Sequence, residues 1–296
     1  MLWPSGVLIK LEQLGIHGRM VRWIQNFLSE RKIQVKLNGT LSIMQEINNG
    51  IPQGSVISPT LFNIAVNDLD KALSGVSLSQ YADDIAIWKS NRNVKYINTK
   101  IQQNLDLISD WCCNWGFKLS ASKTQAVLFT NKRNREAKLK IHDKFIDFHT
   151  SAKFLGVIFD HKLSWHEHIN YILSRCKKKI NLLKCISGLD WGADCCTLLR
   201  IYKSLIKPVL EYGCEAFNSA SITFKKKLDS IQYQALRICT GALYGTALKA
   251  LQVECGDPPL QLHRNFLCQL YSNKVNIHTS HPNKQLQQDC WQALFC

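Results

Sequence analysis

Negative charge is scarce in this 296-residue chain: 22 Asp and Glu stand against 37 Lys and Arg, a net charge of +15. Such a surplus favours a polyanionic partner, nucleic acid before an anionic membrane surface. Glycine and proline number only 15 and 7, which excludes fibrous and low-complexity chains. The longest uncharged stretch, Ile47 to Asn67, contains Asn48, Asn49, Gln53, two prolines and two glycines. It is too polar and broken to span a membrane, so no membrane partner is expected. No basic start leading into an apolar core opens the chain, and we expect an intracellular protein, of cytoplasm or nucleus, rather than a secreted one. No C-x-x-C occurs, so nothing resembles a zinc ribbon. The 12 cysteines, including the adjacent pairs Cys112-Cys113 and Cys195-Cys196, are read as reduced thiols, mostly small core residues. His166 and His168 would project about 200° apart on a helix and cannot share one ion there.

What is present is a globular composition, 46% hydrophobic and 20% charged, long enough for one large domain or two smaller ones. Val7, Leu8, Leu11 and Leu14, then Val21, Ile24, Phe27 and Leu28, recur at helical spacing, and Gly15 and Gly18 divide them into two helices. Residues 32–48 alternate like a strand through Ile33, Val35 and Leu37. Asn49-Gly50-Ile51-Pro52-Gln53-Gly54 is turn-rich. Ser58-Pro59 reads as an N-cap followed by proline at the first helical position. Val76 to Gln80 and Ile85 to Trp88 read as two short strands around Tyr81-Ala82-Asp83-Asp84, a hairpin with acidic residues at its tip. Val94, Ile97, Ile101, Leu105, Ile108, Cys112 and Trp115 form a helical stripe that Gly116 stops. Residues 124–160 read as strands, strongest at Phe154 to Phe159. Ser164-Trp165-His166-Glu167 fits a capping box that opens a helix through Ile169, Ile172, Cys176, Ile180 and Leu183. Beyond about residue 193 the pattern is helical throughout, with one stripe at Leu198, Ile201, Tyr202, Leu205 and Ile206 and another at Leu228, Ile231, Ala235 and Ile238. The fold class is therefore α+β first and all-α later, with a boundary near 165–193.

Adjacent carboxylates at a hairpin tip repel unless a cation joins them. A divalent metal suits the pair, and metal held by carboxylates suits in-line phosphoryl transfer. Turn propensity explains one aspartate as readily, so the pair by itself does not decide.

Four blocks in order do more. They are Asn49-Gly-Ile-Pro-Gln-Gly-Ser-Val-Ile-Ser-Pro-Thr-Leu-Phe-Asn63, Tyr81-Ala-Asp-Asp84, Leu119-Ser-Ala-Ser-Lys-Thr124, and Phe154-Leu-Gly-Val-Ile-Phe-Asp160 followed by Leu163-Ser-Trp165 and His168-Ile169. In sequence and spacing they resemble the reverse transcriptases of LINE-type, non-LTR retrotransposons. Leu210-Glu-Tyr-Gly213 and Ile231-Gln-Tyr-Gln-Ala-Leu-Arg237 resemble the helical region after the thumb in these elements. The resemblance implies part of a right-hand polymerase palm and a thumb: a partial polymerase domain at 1–165, a thumb helix at 166–192 and a helical region at 193–296. It implies RNA-directed DNA polymerisation on an RNA template and DNA primer with deoxynucleoside triphosphates, using two Mg²⁺ ions in an intact family member.

By the same resemblance Asp83 and Asp84 are the catalytic, metal-binding pair. Gln53 and Gly54 line the nucleotide pocket, Tyr81 packs near the primer end, and Lys123 lies near the incoming triphosphate. Phe154, Leu155 and Gly156 form the primer grip, a role compatible with plain core packing. Arg175, Lys177, Lys178 and Lys179 follow the nucleic-acid backbone. Residues 171–210 and 118–144 each hold eight Lys/Arg against two Asp/Glu, a local +6 in both cases that suits phosphate contact without sequence reading.

The family pattern also has a third catalytic aspartate in an earlier palm strand, and Met1-Leu2-Trp3-Pro4 resembles the stretch directly after it. We therefore expect the chain not to polymerise efficiently by itself, Asp68 and Asp70 being no substitutes because they fall on an exposed helix side. We also expect an unpaired edge beside the Tyr81–Asp84 hairpin and poor solubility. The alternatives are a non-catalytic nucleic-acid-binding remnant and a domesticated interaction protein.

Overall fold

A computed structural model of the chain describes residues 2–130, 137–188, 191–278, 281 and 283. Lys132, Arg133, Arg135, Glu136 and Asp190, which belong to the charge runs above, lie outside the described residues. The chain forms two compact units, Met1–Thr150 and Ser151–Cys296.

The first unit begins with helices α1 (Pro4–Gln13) and α2 (Arg19–Leu28). Strands β1 (Arg31–Ile33), β2 (Lys36–Leu37), β3 (Thr40–Leu41) and β4 (Gln45–Ile47) follow, then helix α3 (Ser58–Val66). Next come β5 (Ser77–Tyr81), β6 (Asp84–Trp88) and the long helix α4 (Val94–Asn114). The two-residue strands β7 (Ala126–Val127), β8 (Lys140–Ile141), β9 (Lys144–Phe145) and β10 (Phe148–His149) complete it.

Helix α4 matches its sequence signals. The Asn93 side chain accepts hydrogen bonds from the Lys95 and Tyr96 amides at its N-terminus, and Gly116, at φ 70°, ends it in the left-handed region. Its buried stripe gathers two small cores, Val66, Leu69, Ile108, Trp111 and Cys112 in one, and Leu105, Leu139, Ile141 and Ile146 in the other. Val7 and Leu11 of α1 pack with Ile24, Leu28 and Leu61 in a third. At roughly 1.5–3 kcal/mol for each buried large aliphatic side chain, these cores outweigh the short ladders around them.

Two sequence readings of this unit are corrected. Residues 32–48 are not one strand but one hairpin with an interrupted ladder, β1 pairing with β4 and β2 with β3. Asn38 and Gly39, at φ 49° and 84°, supply the left-handed pair a two-residue turn requires. Ile33, Val35 and Leu37 are 51%, 63% and 71% exposed, so their alternation marks no core face. Ser58 does not cap α3: its hydroxyl donates to Pro52 O at 2.6 Å and ties down the preceding loop.

Asp68 is corrected as well. It lies beyond the end of α3, where it accepts from Nζ of buried Lys10 at 2.5 Å, while Asp70 is exposed as expected. The same ammonium donates to Ala65 O and faces the Trp111 and Trp115 rings at 4.6 and 3.9 Å from their centroids. Burial lowers the Lys10 pKa against the opposing pull of Asp68.

The second unit opens with β11 (Ser151–Phe154) and β12 (Val157–Asp160). Helices α5 (His166–Cys185), α6 (Cys195–Ile201), α7 (Lys207–Glu211), α8 (Cys214–Phe217), α9 (Ile222–Thr240), α10 (Leu248–Glu254) and α11 (Leu260–Ile277) follow. A wide π turn, Tyr202–Ile206, joins α6 to α7. One core runs from Val157 through Ile169, Ile172, Cys176, Ile180 and Leu183 to Leu228, Ile231 and Ala235. Val157 thus puts the β11–β12 hairpin with the helices after it, whereas its strand pattern groups it with the strands before.

Asp160 organises the start of α5. It accepts from the Ser164 amide and hydroxyl, both at 2.9 Å, and from the Trp165 amide at 2.8 Å. Burial would raise its pKa, but these bonds prevail and lower it. The capping box is therefore corrected: the helix begins at His166, with Trp165 left-handed at φ 65° before it, and the Ser164 hydroxyl is engaged by Asp160. Deeper in the unit, wholly buried Asp257 accepts from Tyr202 Oη at 3.0 Å, Lys207 Nζ at 2.6 Å and Gln232 Nε2 at 2.6 Å.

Among the described residues every sheet is two-stranded. No described helix is long and apolar enough to cross a membrane, and the ten described cysteines are free thiols.

Candidate metal and nucleic-acid site

The β5–β6 hairpin carries the acidic pair. Its register runs from Ser77 opposite Trp88 to Tyr81 opposite Asp84, so Ala82 and Asp83 alone form the tip. Ala82 sits at φ 52°, a conformation costing a non-glycine residue about 1–2 kcal/mol. Two devices hold the hairpin against the helix. Ile87 packs on the α4 cores. Buried Asn104 of α4 grips Ser74, just before β5, accepting from its amide at 2.9 Å and donating to its carbonyl at 3.0 Å. Sequence periodicity gave no sign of Asn104, a polar residue on the buried side of the helix.

Both carboxylates are exposed, and neither makes a side-chain hydrogen bond or ion pair with any described residue. Carboxylate oxygens are hard donors, and Mg²⁺ is commonly held by one or two carboxylates with water and substrate phosphates completing the shell. The pair fits one such ion. Among the described residues no third Asp, Glu, His or Cys joins it in a group able to hold a metal.

The other site residues of this unit stand on loops. Gln53 and Gly54 lie between β4 and α3, Gly54 at φ 87° with nothing within 4 Å of where a Cβ would be. Arg31 braces this loop, donating to Gly50 O at 2.7 Å and Asn49 O at 3.2 Å. Lys123 is exposed in a turn whose backbone closes on Ser120 O at 3.1 Å. Tyr81 is 68% exposed. No side-chain hydrogen bond or ion pair joins Gln53, Lys123 or Tyr81 to the aspartates.

In the second unit Leu155 and Gly156, at φ 46° and 84°, form the β11–β12 turn. Phe154 and Leu155 line a largely apolar groove of about 750 Å³, walled on its other side by Pro208, Tyr212, Leu267 and Tyr271. On α5, Arg175, Lys177 and Lys178 are exposed. Lys179 differs: it is half-buried, and its ammonium donates to Leu205 O at 2.6 Å, so that it links α5 to the π turn. Lys207, counted in the basic run, is neutralised by Asp257. His168 is buried and takes the Ile158 amide at Nδ1, 3.3 Å, while His166 is exposed and contacts Asn170. The two share no ion-binding geometry.

Comparison with known proteins accounts for the combination of blocks. The family described as "Reverse transcriptase (RNA-dependent DNA polymerase)" matches residues 2–159. The chain is 25% identical over 292 residues to "RNA-directed DNA polymerase from mobile element jockey" of Drosophila melanogaster, covering 96% of this chain and 32% of that protein. It is 26% identical over 295 residues to "Probable RNA-directed DNA polymerase from transposon X-element" of the same organism, covering 97% and 31%. Against the "Retrovirus-related Pol polyprotein from type-1 retrotransposable element R1" of Nasonia vitripennis identity is 22% over 274 residues, covering 83% and 81%. The chain thus spans about a third of the jockey and X-element proteins. With the ordered blocks and a family match over more than half its length, it belongs to the reverse transcriptase family, in the group carried by non-LTR retrotransposons.

Proposed function

We propose that this chain is palm and thumb of an RNA-directed DNA polymerase, with residues 1–165 as a partial polymerase domain, 166–192 as thumb helix and 193–296 as an associated helical region. Its partners are an RNA template, a DNA primer and deoxynucleoside triphosphates, within the cell. The observation that carries the reading is the pair Asp83 and Asp84, exposed and unpartnered beside a strained Ala82. Two like charges side by side at such a tip repel, and a cation held between them would relieve that repulsion. Mg²⁺ bound there would stabilise charge on the oxygens of the transferred phosphoryl group.

The remaining roles belong to the chain itself. Gly54, without a Cβ, lets a nucleotide approach the backbone, and Gln53 borders that approach. Lys123 offers a free ammonium to the triphosphate. Tyr81 presents its ring near the primer end. The turn Phe154–Gly156 supports the primer, and Arg175, Lys177 and Lys178 follow backbone phosphates, with Lys179 bracing the helix that bears them.

Two carboxylates hold one ion, whereas a two-ion site needs a ligand to bridge both. The chain by itself therefore binds primer–template and does not extend it. The test is primer extension on an RNA template with Mg²⁺, beside an Asp83→Asn/Asp84→Asn control, together with duplex binding at several salt concentrations. Binding without extension is the expected result. Extension that disappears in the control would sink the inactivity and leave the polymerase reading intact. Absence of binding by a folded chain would sink both.

A second reading, a nucleic-acid-binding remnant without catalysis, has the exposed Arg175, Lys177 and Lys178 in its favour. Duplex binding that is insensitive to Mg²⁺ and to the Asp83→Asn/Asp84→Asn change would select it.

A further inference from the structure

Lys153 lies on β11 and Tyr171 on α5, and the Lys153 ammonium donates to Tyr171 Oη at 2.9 Å. The same ammonium stands 4.6 Å from the centroid of the Tyr171 ring. Arg175, one helical turn further on, places its guanidinium carbon 5.6 Å from that centroid. Two cations from two elements thus converge on one phenol. Neither is paired with a carboxylate among the described residues, although Glu167 lies only one turn before Tyr171 on the same helix. The Lys153 hydrogen bond, foremost among several influences, draws the Tyr171 pKa below its ordinary value.

Such an arrangement attracts an anion. Because Lys153 donates to the phenol oxygen, the Tyr171 hydroxyl keeps its own proton to give away. Lys153 has two further N–H groups, and the Arg175 guanidinium has five. Donors of this number and sign, gathered at one ring, match the two unesterified oxygens of a phosphodiester. The neighbourhood supports this: Lys153 immediately precedes the Phe154–Gly156 turn, and Lys178 falls one turn beyond Arg175 on the exposed side of α5.

We propose that Lys153, Tyr171 and Arg175 form a seat for one backbone phosphate of a bound nucleic-acid strand, a site that rests on the nucleic-acid-binding reading above. It joins the hairpin and the helix of the second unit to the same strand.

The test is fluorescence anisotropy of a labelled RNA–DNA duplex with the full chain, between about 50 and 200 mM salt. One phosphate contact contributes about one unit to the slope of log affinity against log salt. Lys153→Ala/Arg175→Ala should weaken binding and make the slope shallower by about one unit, since both cations answer to one phosphate. Tyr171→Phe removes a hydrogen bond and no charge, so affinity should fall about threefold to tenfold with the slope unchanged. Lys153→Arg, which keeps the charge, should keep the wild-type slope, and Lys249→Ala on exposed α10 surface should alter neither quantity. A slope unmoved by the double change, in protein that still binds duplex, overturns the seat and leaves the functional reading standing. A wild-type chain without salt-dependent binding overturns that reading and the seat with it. Displacement of the duplex by stoichiometric tripolyphosphate would assign the seat to a free triphosphate and overturn the backbone assignment.

Discussion

Tyr212 donates from its hydroxyl to the carbonyl oxygen of Leu155 at 2.7 Å, and its ring lies where a Cβ on Gly156 would meet Cε1 at 3.1 Å. The β11–β12 turn is thereby fastened to the junction of α7 and α8, through a residue 57 positions away in the chain. In the resemblance that turn is the primer grip; physically it is a left-handed two-residue turn with a lid.

The first prediction concerns this turn. Gly156→Ala meets both a φ of 84° and the Tyr212 ring. The backbone conformation alone costs about 1–2 kcal/mol, so urea unfolding of the second unit should shift by at least that amount. Tyr212→Phe keeps the ring and loses the bond, for about 0.5–1 kcal/mol at this exposed site. Amide exchange at Val157 should quicken in both variants. A Gly156→Ala protein as stable as wild type would mean the turn re-forms in another conformation.

The second prediction is a pH dependence. His168 is buried, and burial first, then the nearby charge of Lys153, lowers its pKa from 6.5. Between the lowered value and 6.5 the unfolded chain binds more protons than the folded one, so stability rises with pH across that window. Acidification below pH 6.5 should weaken the second unit by up to about 1.4 kcal/mol per pH unit. His168→Asn offers the Ile158 amide an acceptor that does not titrate. Thermal melts from neutral to acidic pH should show a flatter curve for the variant, and parallel curves would show that His168 carries no such linkage.

The third concerns the Lys10–Asp68 pair. Lys10 is 4% exposed, whereas the Asp68 side chain is 32% exposed. Asn in place of Asp68 leaves the buried ammonium without an opposing charge, with only neutral acceptors and two indole faces. Removing the ammonium frees a carboxylate that water can reach. The two substitutions are therefore unequal: Asp68→Asn should cost about 2 kcal/mol, while Lys10→Met, similar in volume, should cost less than about 1 kcal/mol. Denaturant titration of the first unit ranks them, and the reverse order would mean that the pair stabilises through Lys10 packing instead.

These pairs also mark where the sequence is legible. Asn93, Gly116 and the stripe of α4 are local signals, and local signals set helix limits well. Leu228, Ile231 and Ala235 face the core as their spacing implies. The acidic hairpin was legible because its strands, turn and charges lie within twelve residues, Ser77 to Trp88. Lys10, Asn104 and Asp257 were not. Each is a polar residue whose partner is set by tertiary contact, and periodicity treats such residues as surface. The hairpin at 31–47 was missed for a related reason: alternation continues through a turn, and Asn38-Gly39 alone reverses the chain.

The last prediction addresses the acidic tip. Two protein carboxylates leave most of a Mg²⁺ shell to water, so the chain should bind the ion weakly, and a deoxynucleoside triphosphate should tighten it by adding phosphate oxygens. Mn²⁺ is a suitable probe, because its unpaired electrons broaden nearby amide signals. Broadening should centre on Tyr81 to Ile85 and grow when the triphosphate is present. Asp83→Asn, Asp84→Asn and the double change should each reduce it, the double change most, since two adjacent carboxylates attract one ion together. Ala82→Gly adds a separate test. Glycine takes the φ of 52° without strain but loosens the tip, and the resulting entropy loss on folding offsets the relief to within about 1 kcal/mol. Stability should therefore hardly change, while Mn²⁺ broadening weakens because the carboxylates are less well fixed. Broadening that is spread over the basic surface, or is untouched by the aspartate changes, would show that the strained tip serves the turn alone.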